Sequence, residues 1–489
     1  MRLGSGCWPR PGHSLNMALN SAYSVRSQDA PWRRRVSAVL CLLLILSVGR
    51  LLVYTVRFAR HSLQMDFAAY YTAGEAINRG LTPYQNHVDH DPPLWDGVAR
   101  YAHSRFLYPP LVAWLFGPLA RLPYAAAKTI WTILGLGCVG ASLAISAWIV
   151  DAEQMGPPAW ALVGIATALF HPILTHLERG QIDALTLLIL IGSFALVLKG
   201  RRSWHGPAAG LLLALATLLK LHIVLILPFL VVRRRWRVTA GYGSGVIFLG
   251  LLSMLVVPGL SIDYVFEQLP RISIYGEGGE MEMLVPEEHL HRLLEDVPEG
   301  MTQKDGRIYQ REAFAFFANA TLVRYLSPML VGWGIEFSVS QLSIGIFGVL
   351  FGLLFVWQWW CRLNHRQLEP RTAFLYWQLV LILILLAAPQ TWVMNLVWLL
   401  PLFVVLLAEA PELPSLTAGL SWCVALAGLA LAGVPDRILS MPDLPHWLLY
   451  PWGWQWASHK YLLAEVLLLI SIVICLSIPN TLFRSVSNR

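Results

Sequence analysis

Apolar runs long enough to cross roughly 30 Å of hydrocarbon recur along the whole chain. They cover residues 36–56, 124–150, 160–177, 182–198, 238–257, 341–360, 373–388, 392–408, 416–434 and 461–478. The pattern predicts an all-α polytopic membrane protein with about 10–12 transmembrane helices. Residues 207–232 break the pattern: Lys220 stands near the centre, Lys199, Arg201 and Arg202 precede the run, and Arg233, Arg234, Arg235 and Arg237 follow it. Positive charge stays on the cytoplasmic side, so a hairpin turning near Lys220, with both ends inside, suits this segment better than a single crossing. The run 109–119, bounded by prolines, is too short to span and predicts an interfacial or re-entrant helix. From Asp66 to Arg79 there is no proline, and Gly80 and Pro83 then stop the pattern, which predicts a short helix lying on the membrane.

Arg33, Arg34 and Arg35 ahead of the first run set the sidedness. Residues 1–35 read as a disordered cytoplasmic tail, 36–478 as the transmembrane domain and 479–489 as a second cytoplasmic tail. Two long loops, 57–123 and 258–340, then fall outside, together with the short link Glu178-Arg179-Gly180-Gln181. One face of the membrane thus collects most of the polar residues of interest. No internal repeat is visible, which removes support for an inverted-repeat transporter.

Composition agrees with the setting. Hydrophobic residues make up 56% and charged residues 13%, and 21 Trp suit interfacial aromatic belts. The formal charge of +7 would point to nucleic acid in a soluble protein, but here the Arg clusters flank apolar runs and act as topology signals. Five of the six cysteines lie in or beside apolar runs, with no CxxC pair and no His at zinc spacing, so neither a disulfide framework nor a metal site is indicated.

The candidate chemistry begins with Asp66, which follows the first run at once and leads the stretch Asp66-Phe67-Ala68-Ala69-Tyr70-Tyr71. It reads either as a helix-capping carboxylate or as a general base at the membrane face. Lys220 in an apolar segment costs roughly 2.5–3.5 kcal/mol on insertion scales, so it either snorkels or pairs with a carboxylate, or it serves a lipid phosphate. His222 and Arg105 are the next cationic candidates for that phosphate. Arg324 reads either as a plain interfacial arginine or as a bidentate phosphate ligand. Gln181 and Asp183 open a helix after Gly180, either as ordinary helix-start chemistry or as sugar ligands.

Taken in order, these motifs resemble the GT-C glycosyltransferases of the GT87 type, formerly grouped as DUF2029. The resemblance rests on the run from Asp66 to Gly74, then Gly80-Leu81-Thr82-Pro83-Tyr84, and Tyr108-Pro109-Pro110-Leu111 with Pro118-Leu119 and Leu122-Pro123. Gly180-Gln181, the Lys220 segment ending in Pro228, the stretch from Asn319 to Arg324, and Ala388-Pro389 with Trp392 follow. It implies a GT-C fold and transfer of a hexose, typically mannose, from a polyprenyl-phosphate sugar to an acceptor glycan or glycolipid. Transfer would proceed with inversion on the outer face of the plasma membrane, without nucleotide or essential metal. By position it makes Asp66 the general base, gives Lys220 and Arg324 the donor phosphate, and leaves Tyr70, Tyr71, Tyr108, Gln181, Asp183, Asn319 and Trp392 for the substrates. One departure stands out: where such enzymes often carry histidine after the tryptophan, this chain has Val393, Met394 and Asn395.

Two other classes fit parts of the pattern. A transporter or lipid flippase would use a re-entrant segment with a buried lysine, and a silent membrane scaffold would suit the missing histidine.

Overall fold

In lipid a backbone must satisfy its own polar groups, and each apolar run here does so as a helix. The computed structural model describes residues 31–62, 64–85, 87–88, 95, 97–98, 104–152, 155–270, 280–282, 294–295, 301–304, 307–311, 320–323, 325–326, 330, 333–335, 337–360, 370–409, 416–433 and 452–477. In order, the chain forms α1 (Pro31–His61), α2 (Met65–Asn78), α3 (Pro110–Ala120), α4 (Tyr124–Ile149), α5 (Pro157–Leu169), α6 (His171–Arg179), α7 (Asp183–Lys199) and α8 (His205–Leu219). A 3-10 turn (Leu221–Ile226), α9 (Leu227–Val232), α10 (Trp236–Val256) and α11 (Pro258–Asp263) follow. After the long loop come α12 (Val339–Trp360), α13 (Pro370–Ala387), a 3-10 turn (Val393–Leu399), α14 (Leu400–Glu409), α15 (Leu416–Gly433) and α16 (Trp452–Ser477).

Among the described residues six of these helices are long and apolar enough to cross a membrane, fewer than the 10–12 expected because several apolar runs form shorter helices, and α5 with α6, bent by 47°, forms a broken span or a re-entrant loop. The bend falls at Phe170, where His171-Pro172 opens the second helix and proline withholds a backbone donor. Helix α13 runs through the middle of the bundle, buried at every position from Thr372 to Ala387. Helix α1 lies at the rim, with Ile45 and Val53 exposed, as lipid contact demands.

The expected surface helices are present as α2 and α3. Gly74 lets them touch, because a Cβ there would lie 2.8 Å from the Phe116 carbonyl carbon. The expectation of a purely helical chain needs one correction. Residues 280–282, 301–304 and 307–311 form an antiparallel three-stranded sheet, β1-β3-β2, with Glu280 opposite Arg311 and Met301 opposite Gln310. Short polar strands in an acidic loop carry too weak an alternation to be read in advance. The tails 1–30 and 478–489, and most of the loop 258–340, lie outside the described residues.

The segment around Lys220 does turn back. Cβ atoms built on the glycines of α8 and α10 show which levels face each other. Gly206 would meet Arg237 at 2.9 Å, Gly210 would collide with the backbone at Val238 and Tyr242, and Gly245 would meet Ala214 at 2.8 Å. Residue numbers rise together along the contact, so two consecutive helices run parallel. Residues 220–235 must therefore carry the chain back to the level where α8 began. Lys220 makes the turn in an extended conformation (φ −145°, ψ 99°). Glycines four residues apart on both helices allow the close backbone approach that membrane helices use in place of hydrophobic burial.

Two outcomes follow. Cysteines placed at Ser203 and Thr239, in a background lacking native cysteines, label from the same side of the membrane; labelling from opposite sides would contradict the hairpin. Gly210→Val forces α8 and α10 apart and lowers the thermal midpoint in detergent, with a destabilisation of about 1–3 kcal/mol expected from overpacking.

Candidate active site

The end of α1 is tied to the end of α6. Ser62 Oγ donates to the Glu178 carbonyl at 2.6 Å, and Gln64 Nε2 donates to Thr132 Oγ1 at 2.8 Å and to the Leu177 carbonyl at 3.2 Å. Both strands of this junction use left-handed backbone, at Gln64 (φ 46°) and Gly180 (φ 68°). Gly180 admits no larger residue: its Cβ would lie 2.6 Å from Phe67 Cβ and 3.0 Å from Gln64 Oε1. The Trp131 indole closes the junction by donating to the Gly180 carbonyl at 2.8 Å. This register sets Asp66, in the first turn of α2, against Arg179 and Gln181.

Asp66 is not a helix cap. Its side chain is only 7% exposed and makes no capping bond. Arg179 grips it with two bonds, Nε to Oδ2 at 2.6 Å and Nη2 to Oδ1 at 3.0 Å. Ser104 Oγ donates to Oδ1 at 2.5 Å, and Gln181 Nε2 donates to Oδ2 at 2.8 Å. The same Gln181 accepts at Oε1 from the Tyr70 hydroxyl at 3.0 Å. With its proton so used, Tyr70 accepts from the Tyr108 hydroxyl, also at 3.0 Å. Tyr70 lies one turn beyond Asp66 on the same face of α2, packed against Phe116, Trp131 and Tyr108. Burial, reinforced by Tyr108 and Asp66, pushes the Tyr70 phenol well above its ordinary range. Burial raises Tyr108 too, although the Lys220 ammonium pulls the other way. Both phenols therefore remain O–H donors at working pH.

A second charged pair lies at the same end of the bundle. Lys220 Nζ is 3.3 Å from Asp183 Oδ2, with side chains 13% and 0% exposed. Asn395 Nδ2 donates to Asp183 Oδ1 at 2.7 Å. Asn395 is held in turn by the Trp392 backbone, whose N–H donates to Asn395 Oδ1 at 2.6 Å. Next door, Ala320 N donates to the Thr391 carbonyl at 2.7 Å, bringing the segment after the long loop to the same place. Of the two structural alternatives for Lys220, pairing with a carboxylate is the one realised.

The expected residues thus divide. Asp66, Tyr70, Tyr108 and Gln181 form one network, and Lys220, Asp183 and the Trp392 backbone form the other. Tyr71 points elsewhere, donating to the Leu122 carbonyl at 2.8 Å and packing on Tyr124. Arg105 is half-buried beside Ser104. His222 lies 5.4 Å from the Trp398 ring, its Nε2 buried without a hydrogen-bond partner. Asn319 and Arg324 lie outside the described residues. Arg179, Ser104 and Asn395 were not singled out from sequence. Arg179 looks there like an ordinary cation at a helix C-terminus before glycine, whereas Asn395 stands at the flagged departure after Trp392.

Residues 106–292 match Glycosyltransferase family 87. Over 450 residues the chain is 24% identical to the polyprenol-phosphate-mannose-dependent alpha-(1-2)-phosphatidylinositol pentamannoside mannosyltransferase of Mycobacterium tuberculosis (strain CDC 1551 / Oshkosh), covering 90% of this chain and 88% of that protein. ArnT from Cupriavidus metallidurans bound to undecaprenyl phosphate aligns at a TM-score of 0.34 and 14% identity, over 91% of this chain and 77% of ArnT. Apo ArnT aligns at 0.34 and 12%, over 88% and 76%. Structural likeness at that level carries no argument; by sequence the chain is a multi-pass membrane glycosyltransferase whose segment 106–292 is similar to family 87.

Proposed function

We propose that this transferase moves a hexose from a polyprenyl-phosphate donor to a hydroxyl of a glycan or glycolipid on the outer face of the plasma membrane, as an inverting GT-C enzyme. Mannose is the sugar suggested by the M. tuberculosis relative, whose name makes it polyprenol-phosphate-mannose-dependent. The family match favours transfer over transport, and it spans 106–292, the segment that carries Tyr108, Arg179, Gln181, Asp183 and Lys220.

The observation that best supports the reading is Asp66, a buried carboxylate bridged by one glutamine to a pair of phenols. In the proposed step the acceptor oxygen attacks C1 of the sugar while its proton passes to an Asp66 oxygen. The C1–O bond to phosphate breaks with inversion, and polyprenyl phosphate leaves with the electron pair. Phosphate needs charge stabilisation rather than protonation, so one carboxylate base suffices where a glycosidase uses two. Lys220 supplies that charge: its ammonium, 3.3 Å from Asp183 Oδ2 in an ion pair, carries three N–H donors that a phosphate oxygen can take. Arg324, Arg105 and His222 are the further phosphate ligands. Tyr70, Tyr108 and Gln181 are the sugar ligands, with Asn319 assigned by its sequence match alone, and Asn395 fixes Asp183 where the family often has histidine. The scheme calls for no nucleotide and no metal.

Asp66→Asn should lower turnover by about 10²- to 10⁴-fold in protein that retains its fold, as loss of a general base does. Near wild-type turnover would remove Asp66 from the base role. Lys220→Met should raise the donor KM and lower kcat together, because negative charge on the leaving phosphate grows as the bond breaks; Lys220→Arg should recover only part of the loss. Unchanged constants in Lys220→Met would assign the lysine to structure alone. EDTA should leave the transfer rate unaltered.

A further inference from the structure

Asp66 cannot act as a base in the arrangement described. A carboxylate offers about four lone-pair sites on its two oxygens. Arg179 fills one on each oxygen, Ser104 a second on Oδ1 and Gln181 a second on Oδ2. No site is left for an acceptor hydroxyl, and hydrogen bonds to the charged form make a carboxylate reluctant to take a proton. One donor must leave before transfer. Gln181 is fixed from its other end by Tyr70 and by the Ile182 N–H. Ser104 belongs to a segment anchored by its own N–H to the Met65 carbonyl at 3.0 Å. Arg179 is different: its side chain is 36% exposed at the last turn of α6, beside the left-handed Gly180. It is also the one donor of the three that carries a charge an anion can compete for.

We propose that Arg179 is a switch shared between Asp66 and the donor phosphate. Without donor the guanidinium saturates Asp66 and keeps the base silent. An arriving phosphate draws the guanidinium onto its own oxygens, for which the planar fork is equally suited, and frees one lone pair on each Asp66 oxygen. The base is then exposed only when a lipid phosphate occupies the site, which suppresses idle proton exchange with water in the empty enzyme. The inference rests on the polyprenyl-phosphate reading given above. A ligand shifts such an equilibrium only by its differential affinity, so the switch makes a prediction about binding opposite in sign to ordinary loss of a site residue.

The test is equilibrium binding of polyprenyl phosphate, and of uncharged polyprenol as control, to the purified chain in nanodiscs. Asp66→Asn, although impaired in transfer, should bind polyprenyl phosphate about tenfold more tightly than wild type, since the phosphate no longer competes with a carboxylate for the guanidinium. Polyprenol affinity should not change. Arg179→Met should bind the phosphate more weakly than wild type, and Asp66→Asn should give no tightening in the Arg179→Met background. Equal phosphate affinity in wild type and Asp66→Asn overturns the switch. Tightening that persists without Arg179 also overturns it, because removal of a negative charge would then be acting through the general field. So does wild-type affinity in Arg179→Met, a variant that leaves Asp66 with Ser104 and Gln181 and checks the proposal independently of the Asp66 variant's fold. Failure of the wild-type chain to bind polyprenyl phosphate would overturn the donor reading and the switch together.

Discussion

A carboxylate buried at the end of a helical bundle must take its counter-charge and donors with it, or it gives up its proton affinity range and its place. Asp66 takes four donors, three from residues 179–181 and one from Ser104. Everything that positions those stretches is therefore part of the site. The junction of 62–66 with 177–181 depends on a glycine at 180, because nothing larger passes Phe67 and Gln64. Trp131 on α4 holds that glycine's carbonyl, and the same indole packs on Phe67, Tyr70 and Phe116. Small geometric demands at one glycine thus reach the Asp66 carboxylate.

The two charged pairs at this end are built alike and differ in accessibility. Each joins one carboxylate to one cation, and each carboxylate also accepts from a side-chain amide, Gln181 in one case and Asn395 in the other. Asp183 is fully enclosed, whereas Arg179 reaches the surface. The enclosed pair fixes the turn at Lys220 that ends α8, and so anchors the hairpin to the head of α7. The accessible pair is suited to change partners. The Tyr70–Tyr108 bridge, kept protonated by burial, extends the Asp66 network by neutral hydrogen bonds, and the Lys220 ammonium acts on Tyr108 through its charge.

Much of this was legible in the chain. Helix α2 with its stop at Gly80, the short proline-bounded α3, and the return of the Lys220 segment all follow from local signals: a proline-free run, an apolar length below a span, and arginines at both ends. Asp66, Gln181 and Lys220 stand out because polar groups beside or within apolar runs are costly. Their partners do not stand out. Arg179 is 113 positions from Asp66, and Asn395 is 212 from Asp183, and no local rule links residues at such separations. Tyr70 and Tyr71 are indistinguishable in sequence, yet helical rotation sends one into the network and the other to the Leu122 carbonyl. The three-stranded sheet was hidden for a different reason, since strands of three to five residues are too short to carry a readable alternation.

The central claim is stereochemical: a single carboxylate base and a phosphate leaving group imply displacement from the face opposite the leaving oxygen. The most direct measurement is the anomeric configuration of the product sugar, by NMR, after single-turnover transfer from an isotopically labelled polyprenyl-phosphate hexose of defined anomer. The account predicts transfer of the label with the configuration inverted. Retained configuration, or no transfer from any polyprenyl-phosphate hexose, would contradict it.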